Sequence, residues 1–404
     1  MMKNIFSNKT VEALKNNQIV VMPTDTIYGI CASAFSKCAV EKIYELKDRD
    51  KNKPFIILIG SIPDLEKFNI KVDPKTEKLL KKYWPGKYSI ILSCREEKFK
   101  YLHRGTKTLS FRLPDDKEIS ELIKKTGPIA TSSANLQGRK SAQTIDEAKA
   151  YFGNHIDLYI DGGKLVSSPS TILEFKNDGI IVRRIGEINL PKNYENKILA
   201  IYKPKGPTSY DVIAALKKQT GIRKIGHAGT LDPLAKGVLV VAIGREATKK
   251  LNELVKKEKE YLATIKFGQI SETDDEEGAK TNIKIKNIPD LEKIQQALFG
   301  FIGQIKQTPP KYSALKVAGK PLYKYARRGQ EVEIKSRLVL IKSIRIAEYK
   351  WPYLKLKVIT GSGAYIRALA RDLGEKLKVG GYLADLERTR VGNFTKEKAV
   401  KIIG

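Results

Sequence analysis

Gly226-His227-Ala228-Gly229-Thr230-Leu231-Asp232-Pro233, continued as Leu234-Ala235-Lys236-Gly237-Val238-Leu239, places one carboxylate, Asp232, among small and apolar residues and one imidazole. Glycines at 226, 229 and 237 permit backbone angles and close approaches that side chains block. Pro233 fixes the angle at which the chain leaves the loop. On residue types alone two readings stand. One is a tight turn with Asp232 in an ordinary turn role. The other is a loop that holds a lone acid beside a strand, with room for a planar ligand.

Upstream, Ile198 to Tyr202 reads as a strand, and Lys203-Pro204-Lys205-Gly206-Pro207 turns the chain. Thr208 and Asp211 have capping-box spacing, with Asp in place of the usual Glu or Gln. Downstream, Lys259-Glu260-Tyr261 opens a strand to Phe267, and the acidic loop Glu272 to Glu277 reads as a solvated turn. From Tyr312 to Gly329 tyrosines interleave with cations, a pattern that suits RNA and half-buried tyrosines equally. Leu354, Leu356 and Val358 alternate with Lys355 and Lys357 as in a half-buried strand. It leads into Gly361-Ser362-Gly363-Ala364-Tyr365-Ile366-Arg367, after which Leu369, Ala370, Leu373 and Leu377 continue at helical spacing from Ile366. By its own neighbourhood Arg367 reads as a surface arginine, although a strand-to-helix turn is also a place from which it can face a cleft.

In this order the KPxGxTS opening at 203–209, the 226–239 loop, Tyr261 and the GxYIR at 363–367 resemble the TruB family of RNA pseudouridine synthases. The resemblance implies that Asp232 attacks the target uridine nucleotide at the ribose, or otherwise assists cleavage of its glycosidic bond. It implies that Arg367 pairs with Asp232, and that Tyr261 stacks on the base and is a candidate proton acceptor. Tyr365 and Leu386 match further pocket walls, His227 matches a residue that takes part in flipping the nucleotide, and Lys203 matches an RNA contact. Burial favours a neutral carboxyl, so an ionised acid in a site that excludes water needs a guanidinium beside it. The implied reaction isomerises a uridine of the tRNA T loop, with no metal or organic cofactor. Ala228 and Glu387 depart from the family, standing where threonine and arginine are usual. Gly404 follows Phe394 too closely for the PUA RNA-binding domain many relatives append, so RNA affinity is expected to rest on the catalytic domain.

In the first half Gln18 to Met22 reads as a buried strand running into Thr24-Asp25-Thr26-Ile27-Tyr28-Gly29, a strand-end position common for ligand groups in α/β folds. A helix bearing Val40, Ile43, Tyr44 and Leu46 ends at Lys47-Asp48-Arg49 and Lys53-Pro54. Those cations read either as a solvated helix cap or as a polyphosphate clamp. Strands at Phe55 to Ile59, Tyr88 to Ser93 and Leu109 to Leu113 follow, then Ile129-Ala130-Thr131-Ser132-Ser133-Ala134-Asn135, a strand end with a hydroxyl-amide cluster.

With Trp84-Pro85-Gly86, Asp161-Gly162-Gly163, Pro169-Ser170-Thr171 and Arg184-Ile185-Gly186, this ordered set resembles the YrdC family of threonylcarbamoyl-AMP synthases. The resemblance implies synthesis of threonylcarbamoyl-AMP from L-threonine, bicarbonate and ATP with Mg2+, for later transfer to a tRNA adenosine by a separate threonylcarbamoyl transferase. Lys47, Arg49, Lys53, Thr108, Ser133, Asn135, Ser141 and Arg184 are the implied ATP residues; Thr24, Thr26, Arg112, Thr131 and Ser170 the implied threonine residues. Leu58 and Lys87 depart from the family, which has histidine in some members and proline at these places.

The totals fit this division. A chain of 404 residues exceeds one compact core. The polar, Pro191-bearing stretch Glu187 to Lys197 reads as a joint, giving domains at 1–188 and 198–404 with a linker at 189–197. The expected fold class is α/β plus α+β: a twisted mixed sheet with helices, then a mixed sheet with flanking helices and loops. Net charge is +30. Residues 1–196 hold 33 basic and 24 acidic side chains, and 197–404 hold 42 and 21, so the second half is the stronger candidate for a polyanion such as tRNA. Three cysteines and three histidines without CxxC or HxxxH spacing make neither a disulfide framework nor a zinc site. No apolar run is long enough to span a bilayer, and Met1 to Thr10 lacks a secretory layout, so a cytoplasmic protein without membrane contact is expected. The rival to a bifunctional enzyme is a tRNA-binding or tRNA-folding protein with one or both sites inactive.

Overall fold

A computed structural model describes residues 7–176, 179–317 and 319–402; residues 1–6 of the leader reading lie outside them. The chain divides into two compact units, Met1–Ile188 and Asn189–Gly404. Among the described residues no helix is long and apolar enough to cross a membrane.

In the first unit a nine-stranded mixed sheet runs, in spatial order, Leu158–Tyr159, Val20–Met22, Gly29–Ser33, Ile129–Ser133, Ile56–Leu58, Thr108–Arg112, Tyr88–Ser93, Thr171–Lys176 and Gly179–Arg184. The central strands are apolar without alternation because both faces are covered. Ile119, Leu122 and Ile123 of the helix Lys117–Thr126 pack with Leu14, Val20, Cys31 and Ile129. The helices Lys37–Leu46, Pro74–Tyr83, Lys117–Thr126 and Ile145–Phe152 each start at a side chain that accepts a backbone N–H: Ser36, Asp73, Asp116 and Thr144. Such caps satisfy donors that a helix start leaves free.

In the second unit the main path of the sheet runs Gly303–Gln307, Arg337–Lys350, Tyr353–Thr360, Lys259–Phe267, Gly381–Val391, Lys236–Ile243, Ile198–Lys203 and Val400–Lys401. Lys259–Phe267 alternates buried and half-buried residues along its length, as expected of a sheet with one covered face. The box at Thr208 and Asp211 forms in both directions and starts the helix Ser209–Thr220. Lys236–Ile243 pairs antiparallel with Ile225–Ala228 and parallel with Gly381–Val391, where Gly237 faces Arg388. A Cβ at Gly237 would run into the Arg388 backbone, and its φ is +111°. Glycine is therefore required where the Asp232 loop rejoins the sheet.

Candidate active sites in the two units

In the second unit Leu231 N and O exchange hydrogen bonds with the buried Ser209 hydroxyl, at 2.8 and 3.0 Å, fastening the Asp232 loop to the first helical turn. Arg388, 1% exposed, reaches under the loop and donates to Val238 O, Gly229 O and Thr230 O. Asp232 Oδ2 lies 2.9 Å from Arg367 Nη2. Arg367 is 5% exposed, against the surface position its neighbourhood predicts. The helix Ile366–Lys376 begins one residue before it, so its side chain leaves the first turn of that helix to reach the Asp232 loop.

The acidic loop also departs from expectation. Asp275 is buried, 3.2 Å from Arg367 Nη1, and Asp274 pairs with Arg371 at 2.9 Å. Thr273 O accepts from Arg367 Nη1 and Tyr312 O from Nη2. A solvated turn was the natural reading of consecutive acids, but both partners lie on a helix nearly a hundred residues later. Arg367 is thus clamped between two carboxylates, Asp232 toward the cavity and Asp275 behind. Substituting Asp275 by Asn should let the guanidinium swing and lower kcat for RNA modification by roughly 10²-fold, with RNA affinity held; single-turnover kinetics and a binding titration check both halves of the statement.

These groups line a cavity of ≈ 480 Å3, with Asp232, Tyr261, Tyr365, Arg367, Leu386 and Arg388 among its walls. Its size suits one nucleotide. The Asp232 side chain keeps 43% exposure, so the slot is more open than the dry pocket the sequence predicts, and the ligand itself must complete the exclusion of water. Tyr365 caps the helix, and its backbone N–H and C=O are both held by the buried amide of Gln307, at 2.8 and 3.1 Å. The Arg337 guanidinium lies 5.6 Å from the Tyr365 ring centroid. Lys259 also lines the cavity; burial, with Arg388 second, pushes its ammonium down to about 8.

His227 sits half-buried in Ile225–Ala228, just ahead of the loop; burial, then the Arg388 charge, holds its imidazole below the ordinary value. Lys203 is not at the surface. It is fully buried, donates to Pro204 O and Pro207 O, and is pushed by burial down to about 7. As placed it fixes the turn behind the Asp232 loop and does not reach outward to RNA.

In the first unit Lys47 is 1% exposed and donates to Ser133 O and Asn135 O, which excludes the solvated-cap reading for this residue. Burial, then the Arg49 charge, pushes it down to about 7. Arg49 donates to Lys53 O and Pro54 O and packs on the Phe55 ring. Arg184 donates to the backbone and hydroxyl of Ser170. Burial, followed by the charges of Arg112 and Arg49, lowers it to about 10. Arg184 thus feels the charges of Arg112 and Arg49, and Lys47 that of Arg49, so the four cations form one electrostatic cluster. Asp25 is its buried carboxylate, 2.9 Å from Arg112; apart from that ion pair neither of its oxygens has a hydrogen-bond partner, and burial raises its carboxyl.

Arg112 also donates to Thr26 Oγ1, itself 3.1 Å from Thr24 Oγ1. Thr131 meets Cys31, and Ser170 shares a hydrogen bond with Ser89. Asn135 Oδ1 is buried without a partner. Lys53 is exposed, Thr108 half-exposed with its hydroxyl turned to Thr106, and Ser141 half-buried; Lys53 meets the cluster through its backbone oxygen, which accepts from Arg49. Asp25, Asp275, Gln307, Arg337 and Arg388 were not singled out from sequence, although Asp25 stands inside the PTDTIYG stretch.

Residues 217–366 match the family model described as TruB family pseudouridylate synthase (N terminal domain), and residues 367–402 the one described as tRNA pseudouridylate synthase B C-terminal domain. Residues 12–186 match the Sua5/YciO/YrdC model, described as Telomere recombination. The tRNA pseudouridine synthase B of Clostridium novyi is 48% identical over 207 residues, 51% of this chain and 71% of that protein. Its counterpart in Protochlamydia amoebophila is 41% identical over 216 residues, 53% of this chain and 80% of that one. Among solved structures, P. abyssi Sua5 complexed with L-threonine is 29% identical with a TM-score of 0.42, covering 45% of this chain and 54% of that one. A Cbf5-Nop10-Gar1 complex is 29% identical with a TM-score of 0.41, covering 52% and 53%. The chain thus spans about half the length of each of these two structures.

Site and relatives together define a tRNA-modifying enzyme. The chain belongs to the TruB family of tRNA pseudouridine synthases, through its second half, and its first half is a Sua5/YrdC domain.

Proposed function

We propose that the second unit converts a uridine of the tRNA T loop to pseudouridine, and that the first makes threonylcarbamoyl-AMP from L-threonine, bicarbonate and ATP. The observation that carries the reading is Arg367, buried and gripped by Asp275, presenting its guanidinium to Asp232 at the wall of a nucleotide-sized cavity. In the reaction the C1′–N1 bond of the uridine breaks, the base turns while Leu386 and Tyr261 confine it, and a C5–C1′ bond forms; C5 gives up its proton and N1 takes one up, so the product is an isomer of the substrate. Asp232 is the carboxylate among the described residues lining the cavity, which supports reading it as the group that assists at C1′, with Arg367 fixing its orientation. The base has to leave its stack first, at a cost of a few kcal/mol.

In the first unit, the clustered cations Lys47, Arg49, Arg112 and Arg184 repel one another until a polyanion enters, which supports a triphosphate ligand. Asp25, with the Thr24 and Thr26 hydroxyls, is suited to an amino acid's ammonium. Among the described residues no three His, Cys, Asp or Glu converge as a metal site, so Mg2+ is read as entering with ATP, ligated by phosphates and water.

The deciding experiment incubates the protein with unmodified tRNA, with and without ATP, threonine and bicarbonate. Pseudouridine is then mapped by mass spectrometry and pyrophosphate is measured. Pseudouridine should form in the T loop in either mixture, while pyrophosphate release should require threonine and bicarbonate. Neither product would leave the rival reading, a tRNA-binding scaffold. Affinity for tRNA should fall by about 10³-fold between 50 and 200 mM salt if some six phosphates are contacted; a flat response would remove the argument from charge.

A further inference from the structure

A second groove of ≈ 360 Å3 lies beside the catalytic cavity, lined by Lys256, Gln304, Leu338, Leu340, Gly361 and Ser362. Ser362 also lines the cavity that holds Asp232, so the two adjoin across a shared wall. Along Arg337–Lys350 the side chains alternate: Val339 and Ile341 are buried, whereas Leu338 is 65% and Leu340 37% exposed. The register sets Gln304 opposite Leu340 and Lys306 opposite Leu338, both exposed. A strand therefore turns two leucines outward, among cations, at the rim of the site. Exposed apolar surface rimmed by polar groups marks an interaction surface.

We propose that this groove receives the nucleotides adjoining the one extruded into the Asp232 cavity. A base face rests on Leu338 and Leu340, its edge meets the Gln304 amide, and its phosphates run past Lys256 and Lys306. The proposal rests on reading the cavity as a uridine site. Extruding one nucleotide strips its neighbours of a stacking partner, and an apolar surface at the cavity rim replaces part of that loss. The leucine faces accept any base, while the cations read only the backbone, so the groove adds affinity without adding sequence preference.

The test is the double variant Leu338→Ser with Leu340→Ser, whose exposed positions leave the core untouched; a thermal melt matching that of the parent protein verifies this. With an unmodified tRNA transcript, KM and the tRNA Kd should rise about tenfold while kcat stays within about twofold, and Leu338→Met with Leu340→Met should restore both. A photoreactive benzophenone side chain at 338 should crosslink to a nucleotide next to the modified one. Pseudouridine formation by the parent protein in the same assay reports on the cavity itself. If the parent forms pseudouridine but the Ser variant binds and turns over unchanged, the groove proposal falls and the cavity reading stands. If the parent forms none, both fall. A dimer of the parent protein that the Ser variant breaks would make this face a contact between copies and overturn the proposal.

Discussion

Asp232→Ala should lower kcat for pseudouridine formation by at least about three orders of magnitude, with the Kd for tRNA within about threefold of the parent protein. The asymmetry follows from what Asp232 touches. Its only ion-pair partner among the described residues is Arg367, and the loop that carries it is held by Ser209 and Arg388 through backbone atoms. Truncation therefore leaves the cavity wall standing, and Arg367 keeps Asp275 as counter-charge. Binding comes mainly from distributed phosphate contacts, to which a carboxylate contributes nothing favourable. Quantifying pseudouridine in transcripts incubated to completion, beside a filter-binding titration, separates the two quantities. Appreciable product from the Ala variant would exclude Asp232 as the group acting at C1′. Asp232→Asn refines the point: it keeps the shape but removes the charge, and should be nearly as inactive.

How far this site could be read in advance depended on the distance between its parts. The strand Lys259–Phe267 and the strand Tyr88–Ser93 stand where the residue pattern placed them, because alternation and local apolar runs are short-range signals. Gln18 to Met22 shortened to Val20–Met22, since Ile19 N turns to the Asp157 carboxylate and leaves the ladder. The larger misreadings were of charge. Asp274, Asp275, Arg367 and Lys47 all resemble surface residues within their own windows. Each is buried or half-buried because its partner arrives from elsewhere in the chain: Arg371 and Arg367 for the acids, and the Ser133 and Asn135 carbonyls for the lysine. Arg388 was hidden for a related reason. It lies on an inner strand, where an arginine is unexpected, and it is tolerated there because two carbonyls of the loop and one of the neighbouring strand take its donors. Lys203 runs the opposite way: a motif cation read as an RNA contact is buried and donates to two carbonyls of its own turn.

Lys47→Ala combined with Arg49→Ala should reduce threonine- and bicarbonate-dependent pyrophosphate release by roughly three orders of magnitude, leaving pseudouridine formation unchanged. Because Lys47 satisfies two carbonyls, its loss also costs stability, about 1–3 kcal/mol. Arg49→Ala alone, at a half-buried position, also strips Lys53 O and Pro54 O of a donor, so a melting temperature measured beside each variant's activity separates loss of fold from loss of catalysis. The cation basin further fixes a pH signature. Burial and Arg49 hold Lys47 at about 7, below the ordinary 10.5, so above neutral pH the ligand-free protein carries it increasingly uncharged. An entering triphosphate favours the ammonium, and binding must then take up a proton. Calorimetric titration of ATP at pH 8 to 9, in buffers of different ionisation enthalpy, should report uptake approaching one proton, and Arg in place of Lys47 should abolish it. The same shift has a stability consequence of definite sign. Between pH of about 7 and 10.5 the unfolded chain binds a proton that the folded chain lacks, so this lysine weakens the fold as pH falls through that window. Saturating ATP should remove this dependence, because the bound phosphates supply the counter-charge that the folded basin lacks. Melting temperatures compared at pH 7 and pH 9, with and without nucleotide, measure it; a Lys47→Met variant should show the smaller pH difference even without ATP, and an unchanged difference would mean that Lys47 holds its proton in the free protein.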